Sequence, residues 1–306
     1  VPSARPWPVH RWWPRRSLFR RPLGRPPWAA ARGDRVRAGA RGASVKRKDR
    51  LERGRERSQP VERFGRISGM IETAENVARE CGVSREASDA YAAESHARAA
   101  AAWAAGRFDG EIVPVAVPQK KGDPVLFARD EGIRADATAA SMAALKPLMK
   151  DGVVTAGNSS QQNDAAAACL VVAEDRLADL GLTPSGFLVG WAAAGCHPAT
   201  MGLGPVPAVQ RLFAKTGLSW SDIGLVELNE AFACQVLGVL KGWGWDDHAI
   251  LNVNGSGISL GHPIAATGVR ILATMLNEMQ RRGVRYGLET MCVGGGQGVA
   301  AVFERA

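Results

Sequence analysis

The chain has 306 residues and 46% apolar content, enough to bury one large or two ordinary cores. No apolar run reaches the roughly eighteen residues a membrane span needs, and five scattered cysteines (Cys81, Cys169, Cys196, Cys234, Cys292), never paired as C-x-x-C, argue against a disulfide framework or a zinc site and fit a reducing cytoplasm. The formal charge of +9 belongs to one end: residues 1–60 hold 18 Lys or Arg against 4 acids, whereas 61–306 hold 21 against 26, so the globular part is mildly acidic and offers no basic footprint for nucleic acid.

Residues 1–36 carry Trp7, Trp12, Trp13 and Trp28 among Arg and Pro, with Asp34 as the one acid, and show neither helical nor strand periodicity. They lack the apolar h-region of a secretory signal and the serines of a transit peptide. The composition is that of GC-rich coding sequence translated out of frame, so a disordered basic arm is expected, with a frame or gene boundary near Arg37. Beyond it come the strings Gly42-Ala43-Ser44-Val45 and Asp49-Arg50-Leu51, residues 55–60, and Met70-Ile71-Glu72-Thr73-Ala74. Ser84-Arg85-Glu86 reads as a helix start, and Ala87, Tyr91, Ala92, Ser95, Ala99 and Ala102 fall on one face at spacings of three and four until Gly106 ends the pattern. Cys81-Gly82-Val83-Ser84 reads as the turn between two helices, with Gly82 capping one and Ser84 starting the next.

Residues 111–115 read as a short strand, 168–172 as a buried strand and 174–180 as a short helix. From 187 the pattern is strand 187–194, helix 205–216, strand 223–228, helix 230–241, strand 250–253, helix 264–282, and two final strands, 286–292 and 299–303. Helices alternating with short strands imply crossover units on a largely parallel sheet. Asn229 then caps the helix after 223–228, Pro263 is a good first helical residue, Cys292 ends the next-to-last strand, and Gly294-Gly295-Gly296 permits a tight turn. Asn229 and His262 thus stand at carboxyl ends of strands, where open α/β sheets bind ligands. A helix N-terminus beside His262 disfavours its protonated form, which suits an imidazole that accepts a proton.

Taken in order, Asn229-Glu230-Ala231-Phe232, Gly261-His262-Pro263 and Cys292-Val293-Gly294, together with Met201-Gly202-Leu203-Gly204-Pro205-Val206-Pro207-Ala208, resemble the acid/base half of a thiolase active site. The resemblance covers about residues 37–303 and implies an α/β thiolase fold with a complete C-terminal βαβαβαββ half. It divides the chain into a CoA-binding loop domain at 37–156, the last strand and helix of the N-terminal half at 157–185, and the C-terminal half at 186–306.

The resemblance implies acyl transfer between 3-ketoacyl-CoA and CoA, or its reverse, Claisen condensation of acetyl-CoA. No cofactor is held permanently; CoA and acyl-CoA are substrates and partners, and the full-length form is a homo-oligomer. Carried over, His262 activates the nucleophile, Asn229 positions a water in an oxyanion hole, Cys292 shuttles a proton, and Gly294 offers a backbone N–H to a second oxyanion. Arg134 and Ser160 match positions that contact CoA, and Met70 one near the pantetheine.

Departures accompany the likeness. Gly69 replaces a common histidine, Ser159-Ser160-Gln161-Gln162 replaces the usual Ala-Ser-Gly before Asn163, and the Cys-x-Ser-Gly string of the family's nucleophile does not occur. Cys81 stands in the loop domain, where the family has no nucleophile. Covalent transfer needs that nucleophile, so the chain is expected to be inactive alone, and a CoA-binding or scaffold role without turnover stands as the alternative. The glycine-rich strings at 254–261 and 294–298 match neither a P-loop nor a dinucleotide fingerprint.

Overall fold

In the computed structural model, residue 62 and residues 68–245 and 248–306 are described; the basic arm and the strings at 42–60 lie outside the described residues. The helical pair forms as the sequence predicts. Helix α1 (Met70–Cys81) is stopped by Gly82 at φ 62°, and α2 (Arg85–Ala104) is started by Ser84, whose hydroxyl accepts the Ala87 N–H at 3.2 Å. Tyr91, Ala92, Ser95, Ala99 and Ala102 are buried on one face, while Ala87, in the capping turn, is exposed.

The strand expected at 111–115 begins only at its last residue. Glu111 and Ile112 donate their N–H groups back to the Phe108 carbonyl in a turn, and β1 (Val115–Val117) then pairs antiparallel with β2 (Val125–Phe127). A short helix α3 (Ala139–Ala143) follows, opened by a Thr138/Ser141 capping box. Residues 152–158 are pinned to the helices by side chains. The Glu75 carboxylate accepts the N–H groups of Val153 and Val154, and Asn158 donates to Asp89.

The segment 168–172 is not the buried strand its sequence suggests. No strand among the described residues pairs with it, and Leu170 and Val171 are 84% and 92% exposed. An apolar run signals capacity for a strand, but pairing requires a neighbour. A 3₁₀ turn (Glu174–Arg176) and α4 (Leu177–Leu180) realise the predicted short helix.

The remaining elements are β3 (Gly186–Gly195), α5 (Pro205–Thr216), β4 (Ile223–Leu228), α6 (Ala233–Trp243), α7 (Gly257–Leu260), α8 (Thr267–Arg282), β5 (Tyr286–Val293) and β6 (Gln297–Arg305). The strand order is β3-β6-β5-β4. β4 and β5 are parallel, whereas β6 is antiparallel to both its neighbours. β3, β4 and β5 therefore run one way and β6 reverses between them, so the expected parallel sheet is interrupted. The cause is local: a three-residue glycine turn after Val293 makes β6 the hairpin partner of β5.

The strand expected at 250–253 shrinks to a parallel bridge between Val226 and Leu251, because Asn252 at φ 44° turns the chain away. α5 and α6 cover one face of the sheet through Val209, Leu212, Val236, Val239 and Leu240 against Val226, Leu228, Leu288 and Val302. α8 covers the other, with Met275 and Met279 against Leu225. Each of these fully buried side chains contributes roughly 1.5–3 kcal/mol of apolar transfer, which fixes the strand ends on which the candidate residues stand.

Candidate active site

Asn229 directly follows β4, but it does not cap the next helix. α6 starts three residues later than expected, behind Phe232, and the Asn229 backbone N–H instead donates to the Thr290 carbonyl on β5 at 3.1 Å. Its side chain is fully buried, and neither amide atom bonds to a described residue. A carboxamide buried that way costs about 1–3 kcal/mol, so it is not there for stability. Gly257 seats it: a Cβ at 257 would meet the Asn229 Oδ1 at 2.8 Å and the Glu230 carbonyl at 2.7 Å.

α7 then delivers the chain to His262. The expectation that Pro263 opens the long helix is corrected. α8 starts at Thr267, and Pro263 instead closes a turn by accepting the N–H groups of Ala266 and Thr267 at 2.7 and 3.0 Å. The His262 N–H donates to the Gln161 carbonyl and to Asn163 Oδ1, both at 3.2 Å. Its Nδ1 lies 2.8 Å from Thr267 Oγ1, and that hydroxyl is 3.1 Å from the Pro263 carbonyl. A hydroxyl has one proton. The arrangement that makes hydrogen bonds of both contacts has Thr267 donating to Pro263 and accepting from Nδ1–H, which leaves the Nε2 lone pair free. Burial, and then the charge of Arg270, hold His262 below its ordinary pKa, so the ring is neutral near pH 7.

This network makes a direct prediction. Nitrogen-resolved NMR should find wild-type His262 protonated on Nδ1, and Thr267→Val should shift it toward the Nε2–H tautomer while lowering stability by about 1 kcal/mol. An unchanged tautomer in the variant would rule out control by Thr267.

Cys292 is the penultimate residue of β5, two positions beyond the Thr290 that holds Asn229. Burial pushes its thiol up to about 12, with a further rise from Cys196. It is protonated at neutral pH and able to give a proton to a strongly basic atom. Gly294 begins the exposed turn into β6, and Gly295 and Gly296 take φ of 89° and 96°, conformations that favour glycine. The Gly296 carbonyl accepts the Cys196 N–H at 2.8 Å and so fastens the turn to the end of β3. Cys81 is not an activated nucleophile: burial and Glu80 raise its pKa, Lys241 only partly offsets them, and it stands at the end of α1.

A cleft of ≈ 430 Å³ opens beside these loops, walled by His96, Arg134, Met142, Ser159, Gln161 and Ile258 among others. Arg134 donates its backbone N–H to His96 Nδ1 at 3.2 Å and one guanidinium N–H to the Glu131 carbonyl. Ser160 is not among the lining residues; its N–H bonds the Ala231 carbonyl, fastening this segment to the residues after Asn229. Met70, the first residue of α1, is exposed and also stands outside the cleft wall. The Asn229 N–H joins the end of β4 to β5, which carries Cys292, while His262 follows α7 and not a strand, linked to this end through Gly257 against the Asn229 amide; Arg134 lies on the cleft wall and Met70 stands apart.

Sequence reasoning assigned no role to three residues that hold the site. Thr267 fixes the His262 ring. Gln161 forms cleft wall and His262 support together. Glu230 is fully buried and accepts from Tyr91 Oη (2.9 Å), Ser95 Oγ (2.6 Å), Asn252 Nδ2 (3.1 Å) and the Ile258 N–H (3.2 Å). The Asn229-Glu230 dipeptide was the available signal for Glu230, because a carboxylate beside a strand end must be paired if buried.

The family model of the thiolase N-terminal domain matches residues 45–175, and that of the thiolase C-terminal domain matches 182–305. The acetyl-CoA acetyltransferase of Chromobacterium violaceum is 53% identical over 234 residues, 76% of this chain and 59% of that protein. The crystal structure of the Bacillus anthracis acetyl-CoA acetyltransferase superposes with a TM-score of 0.75 at 44% identity, over 78% of this chain and 60% of that one. Human mitochondrial 3-ketoacyl-CoA thiolase in complex with CoA gives 0.71 at 40% identity, over 78% and 59%. The chain therefore spans about three-fifths of the length of these relatives. With both halves of the family pattern matched in order, and with the fold and sequence likeness in agreement, the chain belongs to the thiolase family.

Proposed function

We propose that the chain carries the CoA cleft and the acid/base side of a cytoplasmic acyltransferase that moves acyl groups between 3-ketoacyl-CoA and CoA, or condenses acetyl-CoA in reverse. In this reading 37–156 is the CoA-binding loop domain, 157–185 the end of the first half and 186–306 the second half. The observation that carries it is the junction of cleft and base: Gln161 walls the cleft with its side chain and holds the His262 loop on its carbonyl.

In the proposed chemistry His262 Nε2 takes the proton of an attacking thiol, which a neutral ring with a fixed Nδ1–H is suited to do. The Cys292 thiol gives its proton to the departing α-carbon, far more basic than a thiolate, and takes one back from the CoA thiol that next attacks the acyl group; in the condensation direction both transfers run in reverse. Asn229 supplies a buried amide for an oxyanion-holding water, and Gly294 a backbone donor; a pre-aimed donor of this kind is worth about 10²–10³ in rate. Arg134 and Ser160 contact CoA, while Met70 stands near its pantetheine arm.

The 306-residue chain is expected to bind CoA in solution and to show no CoA-dependent cleavage of acetoacetyl-CoA, since no thiol is activated as nucleophile. The cleft forms without one, which favours CoA or acyl-CoA binding without turnover as the second reading. Calorimetry with CoA, alongside the cleavage assay, separates the two from inert protein. Turnover that persists in Cys292→Ala and disappears in Cys81→Ala would overturn the roles given to both residues.

A further inference from the structure

Gln161 bridges two segments of the cleft wall. Its Nε2 donates to the Gly132 carbonyl at 2.9 Å on one wall and to the Ile258 carbonyl at 3.2 Å on the other. The fit requires glycine at 132, where a Cβ would run into the Gln161 carboxamide. From the same residue the backbone carbonyl receives the His262 N–H at 3.2 Å. A single residue therefore ties two segments of the cleft wall together with its side chain and holds the His262 loop with its backbone.

We propose that Gln161 is a specificity residue, a strap that limits the length of acyl chain accommodated past the cleft toward His262. This rests on the CoA reading of the cleft. The physical argument is steric and directional. Both amide protons of Gln161 are used on carbonyls that cannot donate back, so the carboxamide is fixed between the two wall segments. A short acyl group passes beneath a fixed carboxamide; a long one must displace it, losing two hydrogen bonds and leaving two wall carbonyls unpaired. Chain-length selection then arises from the strap and not from the apolar volume of the site.

The test uses the full chain and two variants. Gln161→Gly removes the strap. Gln161→Glu keeps its length but presents oxygen to both carbonyls, so the side chain is driven out of the crossing. Calorimetry is run with adenosine 3′,5′-bisphosphate, which reports the cleft without an arm, and with acetyl-CoA and octanoyl-CoA. The expected result in both variants is an octanoyl-CoA affinity that rises by at least about tenfold relative to acetyl-CoA, which two further buried methylenes supply, over and above any change that loss of a cleft-wall side chain imposes on all three ligands alike.

Equal shifts for the two thioesters, or no shift, would overturn the strap while leaving the cleft reading intact. Failure of the bisphosphate to bind wild type would remove the cleft reading and the strap with it. If one variant loses its thermal transition, the other decides. Loss of folding in both would show a structural brace and refute the specificity role.

Discussion

Replacing Glu230 by alanine is expected to destabilise the chain by about 2–6 kcal/mol, lowering Tm by on the order of 10 °C. The carboxylate is the meeting point of three parts of the fold. Tyr91 and Ser95 reach it from α2, Asn252 from the bridge beside β4, and the Ile258 N–H from α7. All four are donors, so the site is built around an acceptor. Burial raises the Glu230 pKa and the four hydrogen bonds pull it back. Alanine leaves at least two buried donors without partners, each costing about 1–3 kcal/mol. Glutamine keeps the shape but brings its own donor into a ring of donors, so it should fall between alanine and wild type. Chemical denaturation measures the difference, and a loss below about 1 kcal/mol in Glu230→Ala would show that the network carries little of the attachment of α2. Because Ile258 also walls the cleft and α7 leads to His262, the variant should also weaken the CoA binding proposed for that cleft, through the frame and not through contact with the ligand.

Elements that depend on local chemistry were legible in the sequence. The Gly82 stop, the Ser84 start, the span of α5 and the span of β4 all follow from caps, glycines and apolar spacing. Elements that depend on distant partners were not. The run at 168–172 has strand composition, but no strand among the described residues pairs with it. The stretch at 250–253 was lost to one left-handed asparagine, and the reversal of β6 follows from a hairpin that alternation alone does not distinguish from a crossover. The sequence placed Asn229 after β4 and Cys292 at the end of β5, but His262 follows the short helix α7, where the strand expected at 250–253 is reduced to a bridge. Their immediate supports were hidden: Thr267 reads as one more residue near a helix start, and Gln161 acquires meaning only once Gly132 and Ile258 are known to flank it. Asn229 failed as a helix cap for an informative reason. Its side chain is held beneath α7, turned away from the backbone donors that a cap would serve.

Between pH 6.5 and 8 the chain is expected to lose stability, and Glu289→Gln should remove much of that loss. Glu289 on β5 is the register partner of Glu227 on β4, and both belong to the face covered by α8. Burial pushes Glu289 up to about 8 and raises Glu227 well above the ordinary carboxylate range, with Arg270 pulling both back down. Glu111 and Asp130 also act on Arg270, and burial raises both. A carboxyl whose folded pKa exceeds its unfolded value binds more protons in the folded state, so its contribution is complete at low pH and is lost as pH climbs through the folded pKa. The buried histidines act oppositely. His96 and His262 are held below 6.5, so they favour the folded state as pH rises, and their effect is finished near 6.5. Above that pH the buried carboxyls set the trend among the described groups. For Glu289 the interval of 1.5 pH units corresponds to about 2 kcal/mol. Urea denaturation at several pH values should give a falling stability in wild type and a clearly flatter line in Glu289→Gln, with the variant the more stable protein at pH 8. Parallel lines for the two proteins would mean that Glu289 is already ionised at pH 6.5, paired with Arg270 in place of being neutral beside it.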